Sequence, residues 1–303
     1  MFFLFLYQNN QLPFQNHNPK AMKKFGFTLI ALCISLMMQA QIKVLGIGNS
    51  FSEDALEQNL AEIALSANVP MVIGNLYIGG CSIDRHLDNI AKNEPAYRYT
   101  KFDAEGKKTI LHKVSLESAI AEEQWDYVSV QQVSGQSGFY ESYARLPELI
   151  SWIKEKLPDA KILFHQTWAY AKDSKHSDFP KYDSSQEKMY NAINEVVQRI
   201  SQENEIDDIV PSGPAIQNLR DLTADYDNTR DGYHLSLGMG RYTAACTWFA
   251  TITGKNPEKI KYYPDGSDKR TNEISLIQAR ICQKAARMAV KKRIKIKKVN
   301  SSK

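Results

Sequence analysis

From Ile42 onward the chain alternates short β-branched runs with amphipathic stretches of ten or more residues, and that rhythm limits the possible folds more than any other feature. Ile42 to Ile47, Val69 to Ile78, Asp126 to Val130, Ala160 to His165 and Asp208 to Pro211 read as strands. Helical spacing runs through Asp54 to Ala67, Glu141 to Lys156, Ser184 to Gln202, Leu237 to Thr253 and Ile274 to Lys291. Asp54 reads as the cap of the first of these, and Ser184-x-x-Glu187 as a capping box opening the third. Strands separated by helices of this length pair in parallel, with helices on both faces of the sheet. The predicted class is α/β: a three-layer α/β/α domain around a central, mostly parallel five-stranded sheet. One segment departs from the rhythm, since Ala96 to Lys113 alternates around Ala104-Glu105-Gly106 and is predicted to be a β-hairpin insertion. No Pro-, Gly- or Ser-rich linker interrupts the chain, so residues 41–290 are expected to form one domain. Ligands of such sheets bind beyond the carboxyl ends of the strands, where the loop at 171–183 and the motifs below fall.

The first forty residues stand outside that pattern. Met22-Lys23-Lys24, the apolar run Phe25 to Met38 and the closing Met38-Gln39-Ala40 follow the order of a secretory signal peptide. The run is shorter than the roughly 20 apolar residues of a membrane span. The expected mature chain starts at Gln41 and is exported, to the periplasm or beyond the cell, with a retained anchor as the competing reading. Without residues 1–40 the chain holds 35 Lys/Arg against 34 Asp/Glu, and seven of those cations, with no acid, lie in the last thirteen residues. The body is therefore acidic, which argues against nucleic-acid binding. The tail at 291–303 is predicted to be disordered, either as a solvated end or as a weak contact for an anionic surface or polymer. Cys81, Cys246 and Cys282 lack the spacing of a zinc site or a disulfide framework.

Two short motifs carry chemistry. Gly48-Asn49-Ser50-Phe51-Ser52 follows the first strand and precedes a helix, a position that exposes a serine hydroxyl. Taken alone it also fits a plain turn with a helix cap. Arg230-Asp231-Gly232-Tyr233-His234-Leu235-Ser236 places a carboxylate three residues before an imidazole across a glycine turn. A carboxylate on Nδ1 fixes the tautomer and leaves Nε2 to take a proton. A surface loop is the plainer reading of that motif on its own.

Together, and with an α/β body between them, the motifs resemble the SGNH (GDSL-type) hydrolase superfamily, over about Ile42 to Gly254. The resemblance implies a flavodoxin-like SGNH hydrolase fold with Ser50 as nucleophile, His234 as base and Asp231 as the acid that orients it. It implies an oxyanion hole from the N–H groups of Ser50 and of Gly80, in Ile78-Gly79-Gly80-Cys81-Ser82. The family's Gly-x-Asn-Asp after strand three is replaced here by Val130-Gln131-Gln132-Val133-Ser134-Gly135-Gln136. Gln132 is the expected substitute for the Asn donor, with Gln131 as the alternative. Asn49, where the family has Asp, is not a reacting group. His165-Gln166-Thr167-Trp168-Ala169-Tyr170 completes the likeness to an uncharacterised branch common in gut Bacteroidetes. Trp168 and Tyr170 are candidate stacking platforms for a sugar, while His165 reads as a packed strand residue. The resemblance implies hydrolysis of an ester, with an acetyl group on a carbohydrate as the expected substrate because many exported relatives deacetylate glycans, and with no metal or cofactor. A catalytically weak glycan-binding module and an acyltransferase with the same triad are the alternatives.

Overall fold

The computed structural model describes residues 41–223, 228–267 and 272–296. The signal-peptide pattern and most of the basic tail lie outside them.

Seven strands form one sheet in the order β4-β3-β2-β1-β5-β6-β7. In chain order the elements open with β1 (Ile42–Gly48), α1 (Ser50–Leu56), α2 (Leu60–Ser66), β2 (Met71–Tyr77) and α3 (Ile83–Ala91). There follow β3 (Tyr97–Phe102), β4 (Lys108–Val114), α4 (Leu116–Ile120), β5 (Tyr127–Val130), α5 (Leu146–Lys156) and β6 (Lys161–His165). The chain continues through α6 (Gln186–Glu203), β7 (Asp208–Val210), α7 (Ser212–Leu222), α8 (Met239–Thr253) and α9 (Leu276–Lys292).

β1 pairs in parallel with β2 on one side and β5 on the other, and β6 and β7 continue that parallel side. The inner strands are buried along nearly their whole length, as a sheet covered on both faces requires. Helices α1, α2, α7, α8 and α9 pack together, and α3 packs with α4 and α5.

The sheet corrects the five-strand expectation. β3 pairs antiparallel with β2, from Ile73↔Phe102 to Tyr77↔Arg98, and β4 with β3. The segment read as an insertion therefore extends the sheet by two strands and makes it mixed. The expected helix from Asp54 to Ala67 is two seven-residue helices, broken where Asn59 takes φ 69°, a conformation Asn tolerates better than most residues. α6 is capped by Ser185, whose side chain accepts from the Lys188 N–H, rather than by Ser184, which lies at φ 51°.

The strand order reverses at β1: the next strand in sequence lies on one side and β5 on the other. Such a switch point opens a crevice at the carboxyl ends of the strands. Gly48, Tyr77, Val130 and His165 end β1, β2, β5 and β6 on that edge.

Candidate active site

The turn after β1 is shaped by its neighbours. A Cβ on Gly48 would lie 2.5 Å from Ser52 Oγ and 3.1 Å from Gln131 Cδ, so only glycine fits there. Asn49 is extended and caps α1, its Oδ1 accepting the Phe51 N–H at 3.0 Å. Ser50 thus occupies the first helical position, where the backbone N–H has no acceptor within the helix. Its side chain is partly exposed.

The second motif closes on itself. Asp231 Oδ2 lies 2.6 Å from His234 Nδ1, and Asp231 Oδ1 accepts the N–H groups of His234 at 2.7 Å and Tyr233 at 3.2 Å. Burial pushes the Asp231 pKa up, but the hydrogen bonds from His234 and Tyr233 outweigh it and hold the carboxyl below its ordinary value. A carboxylate on Nδ1 assigns the neutral imidazole its proton there and leaves Nε2 as the basic nitrogen. Phe51, beside Ser50, stands edge-on to the His234 ring with centroids 6.1 Å apart. The nucleophile turn and the base loop therefore meet at the same end of the sheet.

Asp54 holds them together. This carboxylate is wholly buried and accepts Arg230 Nη1 at 2.9 Å, Arg241 Nη2 at 2.5 Å and the Leu235 N–H at 2.7 Å. Burial raises its pKa while the two guanidinium groups and the N–H act against that. Its role as a helix cap is corrected: Asp54 belongs to the second turn of α1 and bridges to the loop that carries His234. Arg230, adjacent to Asp231 in sequence, was the available signal for this bridge.

After β2, Gly79 and Gly80 are exposed, and a Cβ built on Gly80 would meet nothing within 4 Å, which leaves its backbone open to a ligand. Asn49 Nδ2 donates to the Cys81 carbonyl at 3.0 Å and so ties this turn to that of Ser50. Cys81 itself is buried, and burial pushes its thiol up to about 12, out of the reactive range.

Both glutamines after β5 are buried and bonded within the fold. Gln132 is buried, its Nε2 donating to the Ser142 carbonyl at 2.6 Å and its Oε1 accepting the N–H groups of Val133 at 2.8 Å and Ile83 at 3.2 Å. It is corrected from an oxyanion donor to a link between the start of α3 and the turn at 140–143. Gln131 Nε2 donates to Asn49 Oδ1 at 2.7 Å, and its Oε1 lies 2.7 Å from His165 Nδ1. His165 Nε2 lies 2.9 Å from Ser212 Oγ, and burial lowers this imidazole to about 3, so it is neutral. A buried chain Ser212–His165–Gln131–Asn49 thus underlies the nucleophile turn. Adjacent amides and a histidine in the sequence do not by themselves disclose it.

Trp168 and Tyr170 are each 0% exposed, which corrects their assignment as sugar platforms. Trp168 stacks on Phe51 with centroids 4.2 Å apart and donates Nε1–H to the Tyr233 carbonyl at 2.7 Å. Tyr170 shares a hydrogen bond with Ser134 Oγ at 2.8 Å. Both rings support the site from beneath. The partly exposed aromatic side chains near the base are Tyr233, 4.1 Å from the His234 ring, and His176, 4.7 Å from Tyr233. Among the described residues no three His, Cys, Asp or Glu side chains are grouped as metal ligands would be.

The family model described as "Domain of unknown function (DUF4886)" matches residues 43–282. The crystal structure of a DUF4886 family protein from Bacteroides uniformis is 45% identical, with TM-score 0.78, over 86% of this chain and 98% of that one. A candidate SGNH hydrolase from Slackia heliotrinireducens is 18% identical, with TM-score 0.46, over 70% and 99%. An acetyl-xylooligosaccharide esterase from Geobacillus is 13% identical, with TM-score 0.45, over 70% and 94%. Among curated proteins none matches the chain.

Proposed function

The chain belongs to the DUF4886 family, and from that premise we propose that it is an SGNH-type serine esterase working through an acyl-enzyme on Ser50. The observation that carries the reading is the Asp231–His234 pair, bonded at 2.6 Å on a loop that Asp54 ties to the helix beginning with Ser50. A plain surface turn needs neither the pairing nor the buried tie.

Ser50 Oγ attacks the ester carbonyl and gives its proton to His234 Nε2, while Asp231 stabilises the imidazolium. The backbone N–H groups of Ser50 and Gly80 hold the oxyanion. The imidazolium then protonates the leaving alkoxide, and the alcohol departs. Water, deprotonated by the same nitrogen, attacks the acyl group, and collapse of that adduct returns the Ser50 hydroxyl and releases the acid.

The proposed substrate is an ester, acetyl in the first instance, on a carbohydrate. The SGNH resemblance supports it, and the signal-peptide pattern ending at Ala40 supports action in the periplasm or outside the cell. A catalytically weak glycan-binding module is favoured by one observation, the engagement of both glutamine carboxamides within the fold.

Acetate release from p-nitrophenyl acetate and from acetylated polysaccharides separates the two, with Ser50→Ala as the control. The esterase reading expects release that falls by about 10³-fold or more in the variant. Equal release from both proteins on every substrate refutes it and leaves the binding module.

A further inference from the structure

Charge is segregated along this chain. Residues 255–303 hold fifteen Lys/Arg and four Asp/Glu, whereas residues 41–254 hold twenty and thirty. Within the basic part, α9 has no acidic residue. Its inner face buries Ala279, Cys282, Ala286 and Ala289. At 100° per residue, Ile277, Arg280, Ile281, Lys284, Met288 and Lys291 share an outer arc of roughly 100°.

That arc mixes cations with apolar groups left in water. Ile277 is 74% exposed, and Leu276 beside it 52%. Lys284 and Lys291 make no ion pair among the described residues. A surface cleft of about 540 Å³ borders the arc, lined by Glu258, Lys259, Ile260, Lys261, Arg280 and Lys284. Its one acid, Glu258, is already paired with Arg287.

We propose that the outer face of α9 is a peripheral binding surface for a lipid membrane with anionic headgroups. Charge complementarity accounts for the cations, each strengthening attachment to an anionic leaflet. Leu276 and Ile277 decide between a bilayer and a soluble polyanion, because only a bilayer offers apolar side chains an interface to enter. The helix lies on the surface rather than through it: among the described residues, no helix is long and apolar enough to cross a membrane. The inference is independent of the esterase reading.

The test is co-sedimentation of the full chain with vesicles of phosphatidylcholine alone and of phosphatidylcholine with phosphatidylglycerol. Heparin serves as the soluble polyanion. Any pull from the apolar run at 25–38 is common to all variants and to both vesicles, so the readout is the preference for the anionic ones. The wild type should prefer them, less so as salt rises, and K284Q/K291Q should cut the preference roughly 25-fold, at about fivefold per lysine. Ile277→Asn should weaken vesicle binding several-fold and leave heparin binding unchanged. All three positions face solvent, and circular dichroism checks that the variants fold. No preference in the wild type overturns the proposal, as does a preference that K284Q/K291Q retains. Heparin binding with vesicle binding indifferent to Ile277→Asn assigns the face to a soluble polyanion instead.

Discussion

Asp54, four residues after Ser50, accepts the backbone N–H of Leu235, the residue after His234, at 2.7 Å. The two halves of the proposed dyad lie far apart in sequence, and this carboxylate, with Arg230 and Arg241 on its other oxygen, joins them directly. Ser50 and His234 are thereby placed by one buried group.

Asp54→Ala should cost about 3–5 kcal/mol, because it strands the buried guanidinium of Arg241 and the Leu235 N–H without their acceptor. Urea denaturation measures this directly. Asp54→Asn, which keeps a side-chain oxygen for Leu235, should lose less stability. A variant as stable as wild type would show that the ionic bridge is not what holds the loop.

Asp231→Asn should lower kcat by about 10²–10⁴-fold, with KM little changed, because the amide no longer selects the tautomer with Nε2 free. His234→Ala should be at least as damaging. Steady-state kinetics on p-nitrophenyl acetate ranks the two, and greater damage from Asp231→Asn would contradict a purely orienting role.

The two glutamines should separate by readout. Gln132→Ala should lower stability by about 1–3 kcal/mol, since it unpairs the buried Ile83 N–H and the half-buried Val133 N–H, with kcat within tenfold of wild type. Gln131→Ala, which frees Asn49 under the nucleophile turn, should lower kcat more than it raises KM. A collapse of kcat in Gln132→Ala at unchanged stability would restore that residue to the oxyanion hole.

Trp168→Phe keeps an aromatic ring on Phe51 but removes the hydrogen bond to the Tyr233 carbonyl. The expected loss is about 1–2 kcal/mol of stability, with KM for a polymeric substrate within a few fold. A large rise in KM without loss of stability would mean that the ring meets substrate after all.

His86 and His165 predict an acid-sensitive fold. Burial holds both imidazoles neutral, at about 3 in the native state, whereas an unfolded histidine titrates near 6.5. The unfolded chain therefore takes up two protons, which the native chain refuses, as the pH falls through the mid-6s. Stability is fully present above that value and is lost as the pH drops toward 3, at roughly 1.4 kcal/mol per pH unit for each imidazole. Between pH 6.5 and 5 the pair should account for a loss on the order of 3 kcal/mol. Urea midpoints across that range measure the slope, and His165→Gln should reduce it by about half. An unchanged slope would mean that His165 is protonated in the fold.

The alternation of strands and helices was legible because a parallel sheet buried on both faces demands continuous apolar runs such as Val44 to Ile47, and the loops carrying Ser50 and Asp231 follow from it. Local patterns could not show pairing partners. Nothing in Tyr97 to Phe102 says that it will dock on the free edge of β2 rather than stand apart. The same holds at the site. Asp54 has the spacing of a cap, and only the approach of Arg230 and Arg241 from the far end of the chain turns it inward. Trp168 and Tyr170 fall at the right edge of the sheet, but which way a ring turns depends on Phe51 in α1 and Ser134 after β5, which follow other strands.

Asn49 has a consequence for how this family varies. Its amide nitrogen donates to the Cys81 carbonyl while its oxygen accepts from Phe51 and Gln131. An aspartate could keep the second role but would turn a negative oxygen toward that carbonyl. The burden of an acid at position 49 would therefore fall on the turn after β2, where the Cys81 carbonyl would have to turn away, while the bond from Gln131 could stay as it is.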